Sequence, residues 1–372
     1  MQRQTNGKIP RMLDPATRMK MAVFGANLSG GTTLTAAEGT IKVTWPETVE
    51  IAQTADRLGL DAMISVSRWK GFGGDLNQND RSFETLSWAA GIGAVTTDIQ
   101  VIATVHVPTI HPVRLAKEGV TIDHISGGRF GLNVVAGWLD KEVEMFGSPV
   151  GDHTERYEKS EEWLSIVKRL WSNEEEEFNF EGKYYKVPGA HSEPKPLQTP
   201  HPLLMSAGSS PTGRDFASRH CDFNFILVQD TENLAEKISD IKRNAMEQYG
   251  RELKIMTMVT IVCADTEKEA RDYFNHYVFE KGDWETVRRI LGTLDRNSQS
   301  GDYKNDKHAI NYIAGYGAVP LVGTPEQVVK GLKDLSDAGI DGVTLAWVDY
   351  RAGLKVFEEK LLPLLRQAGL RQ

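Results

Sequence analysis

Short apolar segments alternate with helix-like segments about eight times along the 372-residue chain. The apolar segments have the length of strands, and the stretches between them carry apolar residues at helical spacing. Residues 154–171 are the clearest helix, because one face holds five apolar side chains: Trp163, Ile166, Val167, Leu170 and Trp171. Strands and helices that alternate in this way predict a single parallel (β/α)8 barrel of the TIM type.

The predicted barrel spans residues 19–372 and follows an N-terminal extension at 1–18. The first predicted helix has Thr44 as its N-cap and Glu47 as its partner in a capping box. The eight predicted strands are 20–28, 61–66, 99–107, 129–135, PLLMSAG, FNFILV, IMTMVTIVCA and the end of GIDGVTLAWV.

Two long segments interrupt the alternation, at 28–43 and 280–319. Both follow the carboxyl ends of predicted strands, and that face carries the active site in such barrels. They are either lids or surface elaborations. The middle of the second segment, at 296–307, is rich in Asn, Asp and Ser, so we expect a mobile cover that orders over bound substrate.

Charge and cysteine content exclude several classes of protein. The formal net charge of −8 argues against a broad surface for nucleic acid or anionic membrane. Cys221 and Cys263 have neither the spacing of a disulfide framework nor that of a zinc site. The N-terminus has no apolar signal region, and no run of about 18 apolar residues spans a membrane. We therefore expect a cytoplasmic protein.

Glycine-rich turns occur at two places, and their order relative to strand and helix distinguishes them. Gly127 and Gly128 follow a helix and precede a strand, which predicts a helix stop and turn rather than a phosphate loop. The stretch SAGSSPTGRDFA has the opposite order, strand before helix. Gly208 there permits close backbone approach, and the N–H groups of Ser209 and Ser210 could hold an anion at the helix N-terminus.

Long motifs resemble the bacterial-luciferase-like flavin monooxygenase superfamily. They include TIDHISGGRFGLNVVAGW, ISVSRWKGFGG, DHTERYEKSEEWLSIVKRLW and LVGTPEQVV, and the resemblance covers about residues 19–365. The nearest branch contains the pyrimidine, dimethylsulfone and dibenzothiophene-sulfone monooxygenases. The resemblance implies a luciferase-like barrel that binds FMN at its C-terminal mouth. It also implies that a separate NAD(P)H-dependent flavin reductase supplies reduced FMN and that O2 is the co-substrate. We expect a homo-oligomer, either a dimer or a tetramer.

The same resemblance assigns site residues. Thr104 and Asn133 match a catalytic pair beside flavin N5 and C4a, where dioxygen reacts. Arg68 stands where the family more often has Lys, which changes the expected contact with the flavin ring. The residues implied to contact FMN are Ser67, Arg68, Thr104, Asn133, Glu142, Arg156, Tyr157, Gly208, Ser209 and Ser210.

A few polar and aromatic side chains remain for the substrate. His106 and His111 have a spacing that suggests metal, but no third ligand is evident, so we predict no metal site. His106, Trp69 and Trp138 are candidates for the substrate pocket, since aromatic rings can stack on a planar ligand.

Four functions remain in competition. The leading hypothesis is a two-component monooxygenase in which a flavin peroxide at C4a or N5 oxygenates and cleaves a small heterocycle or sulfone. One alternative is a flavin-degrading lyase that cleaves the ribityl chain of riboflavin by the same chemistry. A dehydrogenase dependent on the deazaflavin F420 is disfavoured by the Thr104 and Asn133 pair. A non-catalytic flavin-binding protein would not need that pair.

Overall fold

Eight parallel strands close into a barrel in the computed structural model, which describes residues 9–147, 151–228, 231–297 and 306–372. In chain order the barrel strands are β1 (Lys20–Phe24), β2 (Ala62–Ile64), β3 (Gln100–His106), β4 (Phe130–Val135), β7 (Leu203–Ser206), β8 (Phe223–Phe225), β9 (Lys254–Cys263) and β11 (Gly342–Ala346). Each strand pairs with its neighbour in this order, and β11 pairs with β1 to close the ring. The predicted barrel is confirmed.

Three further strands lie outside the barrel. β5 (Phe178–Glu181) and β6 (Lys186–Ala190) form an antiparallel hairpin. The short β10 (Leu321–Gly323) pairs in parallel with the far end of β9, because that strand extends beyond its barrel partners. The alternation of barrel elements did not predict these three strands.

The helices surround the barrel. They are α1 (Trp45–Arg57), α2 (Thr85–Val95), α3 (Pro112–Ile125), α4 (Asp140–Glu144), α5 (His153–Trp171), α6 (Pro211–His220), α7 (Leu234–Tyr249), α8 (Glu267–Asn275), α9 (Trp284–Asn297), α10 (Asp306–Gly315), α11 (Pro325–Asp337), α12 (Tyr350–Val356) and α13 (Leu362–Gln367). Among the described residues, none of these helices is both long and apolar enough to cross a bilayer.

Local signals set most helix ends. Asp152 and Thr324 begin α5 and α11 with complete capping boxes. At α1, Thr44 caps the helix, but the predicted capping box is wrong. The Glu47 side chain instead accepts hydrogen bonds from Lys42 N at 3.0 Å and Arg351 Nη2 at 2.8 Å.

The double glycine ends α3, as predicted. Gly127 and Gly128 have φ of 65° and 85°, the left-handed region that glycine adopts without a steric penalty. The neighbouring Asp123 is buried and accepts hydrogen bonds from the backbone of Leu197 and from Gln198. Burial raises the pKa of Asp123. Gly127 and Gly128 therefore form the turn at the amino-terminal end of β4, away from the mouth of the barrel.

The floor of the barrel is closed by both ends of the described chain. Met12 is fully buried beneath the strands, and its N–H donates to Gln100 Oε1 at 2.8 Å. Arg371 donates to Met19 O, Gly59 O and the buried carboxylate of Asp61. The described part of the N-terminal extension thus packs against the barrel.

The two long segments form one structure above the barrel. Leu34 N donates to Ile313 O at 3.0 Å, and Thr35 Oγ1 donates to Tyr277 O at 2.7 Å. Leu34 also shares a hydrophobic cluster with residues of α9 and α10 that is separate from the barrel core. The polar middle of the second segment lies mostly outside the described residues, at 298–305.

Candidate active site

A cavity of about 280 Å³ opens at the carboxyl ends of the barrel strands. This is the face on which TIM barrels carry their active sites. Most of the sequence-predicted site residues line it: Ser67, Arg68, Thr104, His106, Asn133, Trp138, Arg156, Tyr157, Gly208, Ser209 and Ser210. Glu142 and Trp69 do not line it.

Thr104 and Asn133 are direct neighbours because β3 and β4 pair with these two residues in register. Asn133 Nδ2 donates to Thr104 Oγ1 at 3.0 Å, and that hydroxyl donates to Ser65 O at 2.5 Å. Asn133 Oδ1 is buried and has no hydrogen-bond partner among the described residues. Thr104 therefore orients the amide, and Asn133 carries the polar atoms that this pair can offer to a ligand.

Arg68, Glu142 and His106 form a buried polar cluster beside that pair. Glu142 is fully buried behind the cavity wall, and its Oε1 accepts from Arg68 Nη1 at 3.2 Å. The Arg68 guanidinium lies 4.7 Å from the ring centre of Phe72 and 5.3 Å from that of Trp138. The planar guanidinium can pair with the carboxylate and pack on aromatic rings at once, which a lysine ammonium does less well.

Trp69 lies outside the cavity wall, although the sequence suggested it for the substrate pocket. Its backbone N–H donates to Glu142 Oε1 at 2.8 Å. Its side chain is 40% exposed and packs edge-on against Phe146 at 5.0 Å between ring centres. Phe72 supplies the aromatic wall from this loop instead, with Trp138 beside it.

Another part of the cavity wall carries a cationic side chain and a helix N-terminus. Arg156, from the first turn of α5, donates to Gly137 O at 2.5 Å and is largely buried. Ser210 caps α6 by accepting from Gly213 N at 3.1 Å, so the N-terminus of that helix meets the cavity. Burial lowers the pKa of His153, which lies 3.1 Å from Ser210 Oγ through Nε2. Arg156 therefore supplies positive charge to this part of the cavity wall.

Gly208 is required by packing as well as by its place in the turn. A methyl group at Gly208 would lie 2.6 Å from Gly213 Cα and 2.7 Å from the Tyr157 hydroxyl. The loop at Gly208 therefore packs against Gly213 in the first turn of α6, and the Tyr157 hydroxyl lies next to both glycines. Burial raises the pKa of Tyr157, so its hydroxyl remains protonated near neutral pH.

Residues of the second long segment complete the wall, and the sequence did not single them out. Ile290 and Leu294 from α9, with Tyr312 and Tyr316 at α10, face the cavity. The four-residue spacing of Ile290 and Leu294 places both on one face of α9 and is the signal that could have identified them. None of residues 28–43 lines the cavity; this segment supports α10 from outside.

Metal ligands do not come together in the part of the chain that the structure describes. No group of three His, Cys, Asp or Glu side chains there is arranged to hold an ion. His111 caps α3, where its Nδ1 accepts from Val113 N at 3.4 Å, and it contacts Tyr185. Cys221 and Cys263 form no disulfide within the described residues.

Comparison with known proteins identifies relatives over nearly the whole chain. The chain is 30% identical over 358 residues to an FMNH2-dependent dimethylsulfone monooxygenase of Pseudomonas putida, covering 94% of this chain and 96% of the relative. It is 30% identical over 328 residues to the pyrimidine monooxygenase RutA of Klebsiella pneumoniae subsp. pneumoniae, covering 85% and 88%.

Solved structures share the fold. A riboflavin lyase bound to modified FMN and riboflavin superposes with a TM-score of 0.83 at 21% identity, covering 95% of this chain and 93% of the lyase. The family model described as luciferase-like monooxygenase matches residues 19–342. The resemblance read from the sequence is therefore confirmed, and the chain belongs to the luciferase-like monooxygenase family.

Proposed function

We propose that the protein is a two-component monooxygenase that uses reduced FMN and O2 to oxygenate and cleave a small organic substrate. The observation that carries this proposal is the content of a single cavity. Its wall includes the Asn133–Thr104 pair, and also Arg156 with the N-terminus of α6. A dimethylsulfone monooxygenase and pyrimidine monooxygenases among the relatives support the reaction class.

The residues present fit FMN at both ends. Arg156, Ser209, Ser210 and the N–H groups of α6 provide a charged and hydrogen-bonding site suited to a phosphate. At the other end, Asn133 Oδ1 is a buried acceptor without a described partner, as a polar ring with N–H groups would require. The apolar and aromatic wall between them suits a flat ring system.

Reduced FMN, when bound, supplies the electrons for the activation of O2. The chain's own residues then have separate tasks. Arg156 and α6 hold the phosphate and fix the position of the ring. Thr104 holds Asn133, whose second N–H can stabilise negative charge that develops on oxygen. Phe72, Trp138 and the residues of α9 exclude water from the reacting centre.

The function is tested by oxygen uptake with chemically reduced FMN and with a flavin reductase as electron source. Mass spectrometry with labelled O2, over a panel of pyrimidines, sulfones and flavins, identifies the product. Incorporation of one oxygen atom into a non-flavin product supports the proposal. Cleavage of riboflavin would establish the lyase alternative, and FMN binding without substrate-dependent turnover would leave only a flavin-binding protein.

Replacement of Arg156 by Ala is expected to weaken FMN far more than riboflavin. Only FMN carries the phosphate, and a charge-assisted hydrogen bond contributes about 1.5–3 kcal/mol, or roughly one to two decades in affinity. Fluorescence titration with both oxidised flavins measures the difference. Arg156→Lys is the matched control, since it retains the charge and should recover part of the FMN affinity. An equal loss for both flavins would place the phosphate elsewhere.

Leu294→Ala is expected to raise the hydrogen peroxide released per O2 consumed by a few-fold, because the shorter side chain admits water to the reacting centre. The matched control is Leu291→Ala. Leu291 lies on the same helix and packs against the cluster around α9 without lining the cavity. The ratio is measured with the substrate identified by the product screen. If both variants release the same amount, the wall formed by α9 does not protect the reaction.

A further inference from the structure

One oxygen of the Glu142 carboxylate accepts three hydrogen bonds, and the other accepts none from the described residues. Oε1 accepts from Arg68 Nη1 at 3.2 Å, from Trp69 N at 2.8 Å and from Lys70 N at 3.1 Å. Oε2 is buried and has no hydrogen-bond partner among the described residues. Three donors on one oxygen hold the carboxylate in a fixed orientation, so Oε2 is presented in one direction.

His106 lies in that direction. Its Nδ1 is 3.7 Å from Glu142 Oε2, about 0.5 Å beyond the usual upper limit of about 3.2 Å for an N–H···O hydrogen bond. Nδ1 is itself buried and lacks a partner within the described chain. His106 nevertheless lines the cavity, one layer above Thr104 on the same face of β3. With Nδ1 turned inward to the carboxylate, Nε2 is the ring atom available to the cavity.

The imidazole is neutral at the pH of the cell. Burial lowers the pKa of His106 to about 4, and the nearby Arg68 adds to this effect while Glu142 opposes it. The other titratable group next to the cluster is Tyr316, whose pKa burial raises to about 12, so it is neutral as well. A neutral imidazole carries one proton, and an acceptor facing Nδ1 selects the tautomer with that proton on Nδ1.

We propose that Glu142 fixes His106 as a hydrogen-bond acceptor at Nε2, and that this atom binds an N–H or O–H group of the substrate. Glu142 is then a positioning residue and His106 a substrate-binding residue. The inference rests on the proposed function, because it places the substrate in the cavity that holds Asn133 and Thr104. A buried acceptor discriminates strongly against ligands that leave it unpaired.

This assignment selects a substrate class among those of the relatives. Amides, imides, phenols and other compounds with a donor can satisfy Nε2. A dialkyl sulfone offers only acceptor oxygens, and burying it against Nε2 would leave the acceptor unpaired. The expected substrate therefore carries an N–H or O–H group, as an unsubstituted pyrimidine ring does and dimethyl sulfone does not.

The tautomer is measured directly by nitrogen NMR of the protein labelled with ¹⁵N-histidine, without flavin or turnover. The His106 signals are assigned by their loss in His106→Gln. We expect a protonated Nδ1 and an unprotonated Nε2 in the wild type near neutral pH. A proton on Nε2 would overturn the proposal.

Glu142→Gln provides the sharpest variant. The three donors around Oε1 require an oxygen at that place, so the glutamine NH2 must replace Oε2 and donate to His106 Nδ1. The tautomer should reverse, with the proton moving to Nε2. A merely structural role of Glu142 would not produce this reversal, and an unchanged tautomer would contradict the positioning role. Thermal denaturation of the variant checks that it is folded.

Ligands are then compared in pairs that differ in the donor: uracil with 1,3-dimethyluracil, succinimide with N-methylsuccinimide, and phenol with anisole, with dimethyl sulfone alongside. Donor-bearing members should shift the Nε2 signal and bind roughly ten- to hundredfold more tightly than their methylated partners. Equal binding within the pairs, or no shift by any donor-bearing member, would refute the proposal.

Oxidised FMN is titrated separately. A shift of Nε2 by FMN alone would assign this atom to the flavin and overturn the substrate assignment. The two proposals fail separately, because the tautomer is measured without oxygen, while the monooxygenase function is decided by oxygen uptake and product mass.

Discussion

Asn133→Ala is expected to lower product formation by about 10²–10³-fold, the usual loss when one donor to developing charge is removed, about 2.7–4 kcal/mol. The affinity for oxidised FMN should change little by comparison, because the proposed phosphate contacts come from α5 and α6 and not from β4. Turnover with reduced FMN and flavin titration measure the two effects. Equal turnover in variant and wild type would remove Asn133 from the reaction.

Thr104 variants separate orientation from direct action. The Thr104 hydroxyl proton is directed at Ser65 O and its oxygen accepts from Asn133, so both groups are used within the protein. Thr104→Val should therefore impair turnover by releasing Asn133, whereas Thr104→Ser should retain most activity. If Thr104→Val matches the wild type, the orientation of Asn133 does not depend on this hydroxyl.

Among the substitutions proposed, Asp61→Ala is expected to lower the free energy of unfolding most, by about 3–5 kcal/mol. It leaves the buried guanidinium of Arg371 without its carboxylate partner. The side chains of Arg371 and Asp61 are 8% and 4% exposed, and Asp61 Oδ2 also accepts from Met21 N at 2.7 Å. The substitution also removes the negative charge of Asp61 from the neighbourhood of the buried Lys20, where it stabilises the charged form of that side chain. The thermal midpoint should fall by roughly 4–6 °C.

The exposed Arg57–Glu358 pair is the control. Glu358 accepts from both terminal nitrogens of the Arg57 guanidinium, at 2.5 and 3.0 Å, so the local geometry is as good as at Asp61. Solvent screens this pair, and Glu358→Ala should leave the thermal midpoint nearly unchanged. If the two variants lose similar stability, burial is not what makes the contact at the barrel floor strong.

The barrel was predictable because it follows from local periodicity, whereas the pairing of Thr104 with Asn133 was implied by the family resemblance. Strands alternating with helices specify the parallel barrel, and side chains two residues apart face the same way along a strand. Thr104 and Asn133 were each placed near the carboxyl end of a strand, and the structure supplies the register that makes them direct neighbours. The turn around Gly208 was predictable for the same reason, since strand, glycine and helix follow one another directly.

Contacts made across long sequence separations were not predictable. Which aromatic residue of the loop after β2 enters the cavity depends on Glu142, more than 70 residues away, which binds the backbone of Trp69 and Lys70. Phe72 therefore faces inward and Trp69 outward. The Thr104 hydroxyl donates to the backbone carbonyl of Ser65, and no local sequence pattern indicates that hydrogen bond.

The wall of the cavity illustrates the same limit. Ile290, Leu294, Tyr312 and Tyr316 reach the site because the second long segment folds back over the barrel mouth. Its helices are visible in the sequence only as amphipathic stretches, and amphipathicity does not specify which surface a helix will cover.

The joint structure of the two long segments has a consequence for recombination between relatives. Leu34 N donates to Ile313 O and the Thr35 hydroxyl donates to Tyr277 O, and Thr35 also forms a β-bridge with Gly282. A chimera that exchanges residues 280–319 alone would contain the α9 and α10 of a relative without that relative's residues 28–43, which support them. Exchange of 28–43 together with 276–319 transfers the buried members of the hydrophobic cluster except Val262 and Val348. Exchange of the two segments together should therefore preserve the packing of α9 and α10 over the cavity, while the contribution of His106 to substrate choice stays with the barrel.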